Sequence, residues 1–202
     1  MKTVSVLVMA VAFSAAACAL TTQTYGDFDD NQAGGAGFVF TPALPQYSQT
    51  GDPMPQTAYL MSWTYAKSSS GYGGAAQTYL AVYSYDSALG YQSLLGTSTN
   101  YIDFPAASPL ALLTWNFDGI ALDKDTQYAL MFVDQTGAIA SGGVELDTTN
   151  STTNGFIQTG YKLVNKPTWE AHFSAAYSNT IPEPTTMVLL AVGGLLLRRR
   201  QA

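Results

Sequence analysis

Ala111-Leu112-Leu113-Thr114-Trp115-Asn116-Phe117-Asp118, residues 111–118, decides the fold. Leu113, Trp115 and Phe117 fall on one side of an extended chain, and Thr114, Asn116 and Asp118 on the other, because successive strand side chains point to opposite faces. The same period of two continues outward in both directions. In 59–66 the odd positions are Tyr59, Met61, Trp63 and Tyr65, against mostly small or polar even ones. In 169–177, Trp169, Ala171, Phe173, Ala175 and Tyr177 alternate with Glu170, His172 and Ser174. Two runs, 78–85 and 127–133, are apolar on both sides and belong at the centre of a sheet. Segments 37–41 and 156–163 are further strand candidates. Gly-, Pro-, Asn- and Asp-rich turns separate the runs at 67–74, 86–90, 105–109, 136–143 and 147–155. Short strands at this spacing predict an all-β fold: an antiparallel β-sandwich of jelly-roll or Greek-key immunoglobulin-like topology, with helix only at the two ends. The faces predict burial of Trp63, Trp115, Phe117, Phe132, Trp169 and Phe173.

Leu122-Asp123-Lys124-Asp125-Thr126-Gln127-Tyr128 resembles the tyrosine corner of Greek-key sandwiches, in which a Tyr near a strand start bonds back to the preceding turn. The other reading is an ordinary turn before a strand with a core Tyr. The longer run from Tyr79-Leu80-Ala81-Val82-Tyr83, through Leu95-Gly96-Thr97-Ser98 and Trp115-Asn116-Phe117, to Thr126–Tyr128 resembles jelly-roll or immunoglobulin-like modules of surface-anchored bacterial proteins.

Both ends of the sequence read as addresses. Lys2, an apolar run from Val4 to about Ala17 and small residues at Ala15, Ala17 and Ala19 have the layout of a secretory signal peptide, so residues 1–19 are expected as a signal helix cleaved before Leu20, or alternatively after Ala17. Cys18, the only cysteine, also admits a lipoprotein reading. At the other end stand Pro182-Glu183-Pro184, an apolar segment over 185–197, and Arg198-Arg199-Arg200. This tripartite tail, residues 181–202, resembles the PEP-CTERM sorting signal of Gram-negative envelope proteins. The resemblance implies that Pro182, Glu183 and Pro184 are read by a membrane-embedded exosortase. This thirteen-residue segment makes a helix of about 20 Å against a bilayer core of about 30 Å, which suits a short, temporary anchor in the inner membrane. Arg198, Arg199 and Arg200 are expected to hold it there, cytoplasmic by the positive-inside rule. An ordinary C-terminal membrane anchor is the alternative.

Between these ends, residues 20–180 form the expected ectodomain. It carries four lysines, no arginine, eleven aspartates and two glutamates, a balance of −9. Such a surface repels phosphate backbones and excludes nucleic acid as a partner.

Catalytic chemistry is scarce. The single His172 lies on the polar side of its strand and no Gly-x-Ser-x-Gly elbow occurs, so a serine triad and a zinc site lack their parts. Glu145 and Glu170 are the only glutamates of the ectodomain and the candidate carboxylate pair for a glycosidase, with solvated surface acids as the plainer reading. No cofactor is required. Calcium is the one candidate: Asp27, Asp29, Asp30 and Asn31 open like an Asp-x-Asp-x-Asn loop, but Gln32 stands where an EF-hand needs Gly, leaving at most a looser loop site. Tyr65, Tyr72, Tyr79, Tyr83, Tyr85 and Tyr91 crowd one third of the sequence, and Tyr72, Tyr83, Tyr85 and Tyr91 are candidate glycan contacts, since sugar rings stack on aromatic faces; core packing is the competing role for tyrosines on a two-sided strand. The expected protein is therefore not an enzyme. It is an exported structural or adhesive surface protein, or alternatively a carbohydrate-binding module meeting extracellular polysaccharide, or a secreted polysaccharide hydrolase.

Overall fold

The computed structural model of the chain describes residues 20–25, 31–42, 57–68, 76–104, 107, 108, 110–147, 155–171 and 173–178. The expected signal helix (1–19) and C-terminal apolar helix (185–197) lie outside them, as does Tyr72. The described residues are all-β and antiparallel. In chain order the strands are β1 (Leu20–Tyr25), β2 (Asn31–Gly35), β3 (Gly37–Phe40), β4 (Thr57–Ala66), β5 (Tyr79–Asp86), β6 (Gly90–Thr97), β7 (Leu112–Asp123), β8 (Tyr128–Val133), β9 (Gly142–Asp147), β10 (Gly155–Ile157), β11 (Glu170–Ala171) and β12 (Phe173–Ser178). A four-stranded sheet has the order β1-β12-β4-β7, a five-stranded sheet β10-β3-β8-β5-β6, and a three-stranded ribbon β11-β9-β2. The ribbon feeds both sheets, since β2 runs into β3 through Ala36 and β11 is one residue from β12. The two runs that are apolar on both sides, β5 and β8, are interior strands of the five-stranded sheet.

The two larger sheets share one core. Trp63 and Tyr65 of β4, Trp115 of β7 and Phe173 of β12 meet Phe38 and Phe40 of β3 and Phe132 of β8. Trp63 stacks on Phe173 at 4.2 Å and takes the edge of Phe40 at 4.7 Å. Burying each such side chain contributes about 1.5–3 kcal/mol. Of the six aromatics expected inside, five are buried; Trp169 is half-buried, because it precedes β11 and lies against Phe156 at the rim.

The alternation in 59–66 is not continuous. Trp63 and Tyr65 enter the core as their spacing requires, but Ala58 and Leu60 enter it in place of Tyr59 and Met61. The cause is a bulge: Met61 is an extra residue where β4 passes the Ala176/Tyr177 step of β12, and one inserted residue moves every later side chain to the other face. On the other side of β4, the β7 segment between Asn116 and Ile120 bulges at the same level. Gly119 there has φ +88°, a conformation that glycine adopts at little cost. Burial accordingly shifts from Leu113, Trp115 and Phe117 to Leu122.

The expected strand 156–163 is shorter than its pattern suggested. β10 ends at Ile157, and the chain from Gln158 onward leaves the sheet as a strap. Conversely β2, which no alternation marks, is a strand. Asn31, one of the calcium candidates, begins it, paired with Leu146; Asp27, Asp29 and Asp30 lie outside the described residues.

Candidate functional site

Along β5, Leu80 and Val82 point into the shared core. Alternation therefore turns Tyr79, Ala81, Tyr83 and Tyr85 to the outer face of the five-stranded sheet. The aliphatic side of the strand fills the shared core, and the phenolic side packs against a second apolar cluster on the outer face. In the β5–β6 pairing Tyr85 lies opposite Tyr91 and Tyr83 opposite Leu94. Tyr83, Tyr85 and Tyr91, three of the four candidate glycan contacts, are thus brought together, half-buried, around a second apolar cluster that includes Val39, Ala129, Met131 and Ile157. The Tyr83 and Tyr91 rings are 5.4 Å apart and tilted by 58°. Burial first, and Tyr91 second, raise the Tyr83 phenol above its ordinary value, so its hydroxyl keeps its proton well into alkaline solution.

At the other end of this face stand Tyr79, which the sequence reading counts in the tyrosine cluster but not among the contacts, and Tyr101, which it does not single out. Tyr79 and Tyr101 form a second pair, 5.7 Å apart and tilted by 57°. Tyr79 carried a readable signal, since it shares the face of Tyr83 four residues on. Tyr101 carried none. It is placed by two hydrogen bonds of 2.9 Å between the backbones of Thr78 and Ile102. Beside this pair lies a cleft of about 260 Å³ lined by Tyr79, Thr97, Ser98, Val133 and residues 134–137. One wall is a turn organised by Asp134, whose Oδ1 accepts from the Thr136 hydroxyl (2.6 Å), the Thr136 amide (2.8 Å) and the Ala138 amide (3.1 Å). These donors, the Thr136 hydroxyl foremost, hold the carboxyl below its ordinary value.

The strap closes the opposite end. The Val164 amide donates to the Tyr85 hydroxyl at 3.2 Å, and Lys162 lies over the Tyr91 ring with Nζ 5.7 Å from its centroid. Asn165 and Gln158 fasten the strap to itself through two hydrogen bonds, 3.0 and 2.7 Å.

Glu145 and Glu170 belong to the three-stranded ribbon and not to this face. Glu170 of β11 is in register with Asp147 of β9, and Glu145 is two positions along β9. His172 lies outside the described residues. Among the described residues no three His, Cys, Asp or Glu side chains converge as a metal site, and no helix is long and apolar enough to cross a membrane. Pro182, Glu183 and Pro184, with Arg198, Arg199 and Arg200, lie outside the described residues.

No curated protein and no solved structure matches the chain. Residues 180–201 match the family described as the PEP-CTERM protein-sorting motif, which covers Pro182-Glu183-Pro184, the apolar segment and the three arginines. The chain thus carries a PEP-CTERM sorting tail, the mark of an exported protein processed by an exosortase.

Proposed function

We propose that this is a cell-surface or extracellular-matrix protein in which a non-enzymatic β-sandwich, residues 20–180, provides structural or adhesive contact after sorting through residues 181–202. A jelly-roll reading of the sandwich is supported by its winding. Strands alternate between the two sheets so that β1-β12-β4-β7 faces β3-β8-β5-β6, the order that two nested Greek keys generate. The ribbon and β10 are additions at the edges.

The observation that carries the adhesive reading is the tyrosine-lined outer face of β5, because half-buried phenols combine an apolar ring with a polar tip, the composition of recognition surfaces. The tail supplies the address: the short apolar segment is held in the inner membrane by Arg198–Arg200 until an exosortase acts at Pro182–Pro184. Attachment of cells to a surface and to one another tests this role. Deleting the protein should reduce attachment, the full chain should restore it, and a chain lacking 181–202 should not. Restoration by the tail-less chain would contradict surface retention as the basis of function. A second reading, a carbohydrate-binding module, is favoured by the two tilted tyrosine pairs on one strand face.

A further inference from the structure

We infer that the outer face of β5 is a binding track for a neutral, linear polysaccharide, entered at the Tyr79–Tyr101 cleft and ending at Tyr83 and Tyr91 under the strap. The inference rests on the carbohydrate-binding reading and assigns its site and ligand class.

Three observations carry it. The first is spacing. Tyr79 and Tyr83 are four residues apart on a strand that rises about 3.4 Å per residue, so the two positions are about 14 Å apart, a span of about three linked pyranose rings. Ala81 between them is small and buried, so the rings and not the floor between them are open to a ligand.

The second is hydrogen-bonding capacity. At the cleft, Tyr79 and Thr97 bring hydroxyls and Gln135 an amide, and Tyr101 stands beside Tyr79 with a further hydroxyl. Asp134 commits Oδ1 to its own turn, which leaves Oδ2 to accept from a sugar hydroxyl. Tyr101 keeps 49 % of its surface exposed, so a ring can stack on it without displacing protein. The volume of about 260 Å³ is below the ~300–1,000 Å³ of pockets that enclose drug-sized molecules. It suits one sugar ring of a chain that continues along the strand.

The third is charge. No charged residue occurs between Asp86 and Asp103, so β6 flanks the track without a charge. The track is bounded by Asp134 at one end and Lys162 at the other, and the ectodomain as a whole is acidic. An anionic polymer is repelled by that field, whereas a neutral glycan is not.

The test is affinity electrophoresis of the exported chain in gels containing mixed-linkage β-glucan, xylan or galactomannan, with alginate as the anionic comparison. Calorimetry with two- to six-sugar fragments of the retarding polymer follows. Retardation by a neutral polymer and not by alginate is expected, with affinity rising about tenfold or more from two sugars to four. Tyr79→Ala, Tyr83→Ala and the more exposed Tyr101→Ala should each weaken binding about tenfold with thermal unfolding still cooperative. Leu112→Ser, on an exposed position of the other sheet, should change nothing. Binding that survives all three tyrosine variants overturns the track but leaves the carbohydrate reading in place. Retardation by alginate alone overturns the neutral ligand. Failure of every polymer to retard the wild-type chain overturns both. If the same tyrosine variants instead abolish a self-association seen by sedimentation, the face is a protein interface and the inference is wrong.

Discussion

The backbone amide of Asp123, the last residue of β7, donates to the phenolic oxygen of Tyr128, the first residue of β8, at 2.8 Å. The bond closes the turn that carries the chain from the four-stranded to the five-stranded sheet. Asp125, at φ 61°, reverses the chain between them, and Leu122 and Tyr128 are both buried beneath the turn. Tyr128→Phe keeps the ring and removes the acceptor. A loss of about 1 kcal/mol is expected, the net worth of one hydrogen bond, read from urea unfolding as a lower midpoint at unchanged slope.

Two core tryptophans separate packing from hydrogen bonding. The Trp115 indole nitrogen donates to the Thr78 carbonyl at 2.9 Å. The Trp63 nitrogen lies near the Tyr65 hydroxyl without closing a hydrogen bond. Replacing either by Phe removes similar ring volume, but only Trp115→Phe loses a hydrogen bond, the Thr78 carbonyl keeping the Ile102 amide. Trp115→Phe should therefore destabilise by about 1 kcal/mol more than Trp63→Phe in paired denaturation experiments.

Lys67 is buried, and among the described residues its ammonium makes no ion pair with a carboxylate. Its ammonium donates to the carbonyls of Phe104 (2.7 Å) and Ala107, pinning the loop before β7. Lys67→Met retains the stem and loses both bonds. A cost of about 2 kcal/mol is expected, since hydrogen bonds to charged groups contribute about 1.5–3 kcal/mol. Amide exchange should accelerate at Ala107 and Leu110, and exchange there that matches wild type would refute the pinning role.

The buried phenols make stability sensitive to alkali. Desolvation raises Tyr65 and Tyr177 well above the ordinary phenol value of 10.0. A raised folded value favours the protonated form in the native state. Their contribution is thus complete below about pH 10 and is lost as pH climbs from there toward the folded values. Each tyrosine then withdraws about 1.4 kcal/mol per pH unit. Unfolding free energy should be flat from pH 7 to about 10 and fall steeply beyond. Tyr65→Phe should be near neutral at pH 7, where it removes an unpartnered hydroxyl, and should reduce the alkaline slope by about half.

The strands that proved most legible were those whose two faces differ most. Leu113, Trp115 and Phe117 announced β7, and the Leu122–Tyr128 spacing announced the corner that the Asp123 hydrogen bond closes. The bulges at Met61 and Gly119 were not legible, because an inserted residue changes phase without changing composition. Nor was β2, where Asn31-Gln32-Ala33-Gly34-Gly35 has weak strand propensity and is ordered by pairing with β9, distant in sequence. At the candidate site, tyrosine crowding identified Tyr83, Tyr85 and Tyr91. Their outward direction depended on which side of β5 filled the core, a tertiary decision that both faces' apolarity left open. Tyr101 reached the face only through the pairing of Thr78 with Ile102.

The central claim is that this protein is exported and sorted through its tail, and the intact mass of the chain recovered from envelope fractions of an exosortase-bearing host tests it most directly. The account expects wild-type protein at the cell surface or in the medium with Arg198–Arg200 removed. Glu183→Ala should fold, keep its tail and stay in the inner membrane, and neutral replacements of Arg198, Arg199 and Arg200 should impair membrane retention or orientation. Recovery of Glu183→Ala with the same mass and location as wild type would contradict the account.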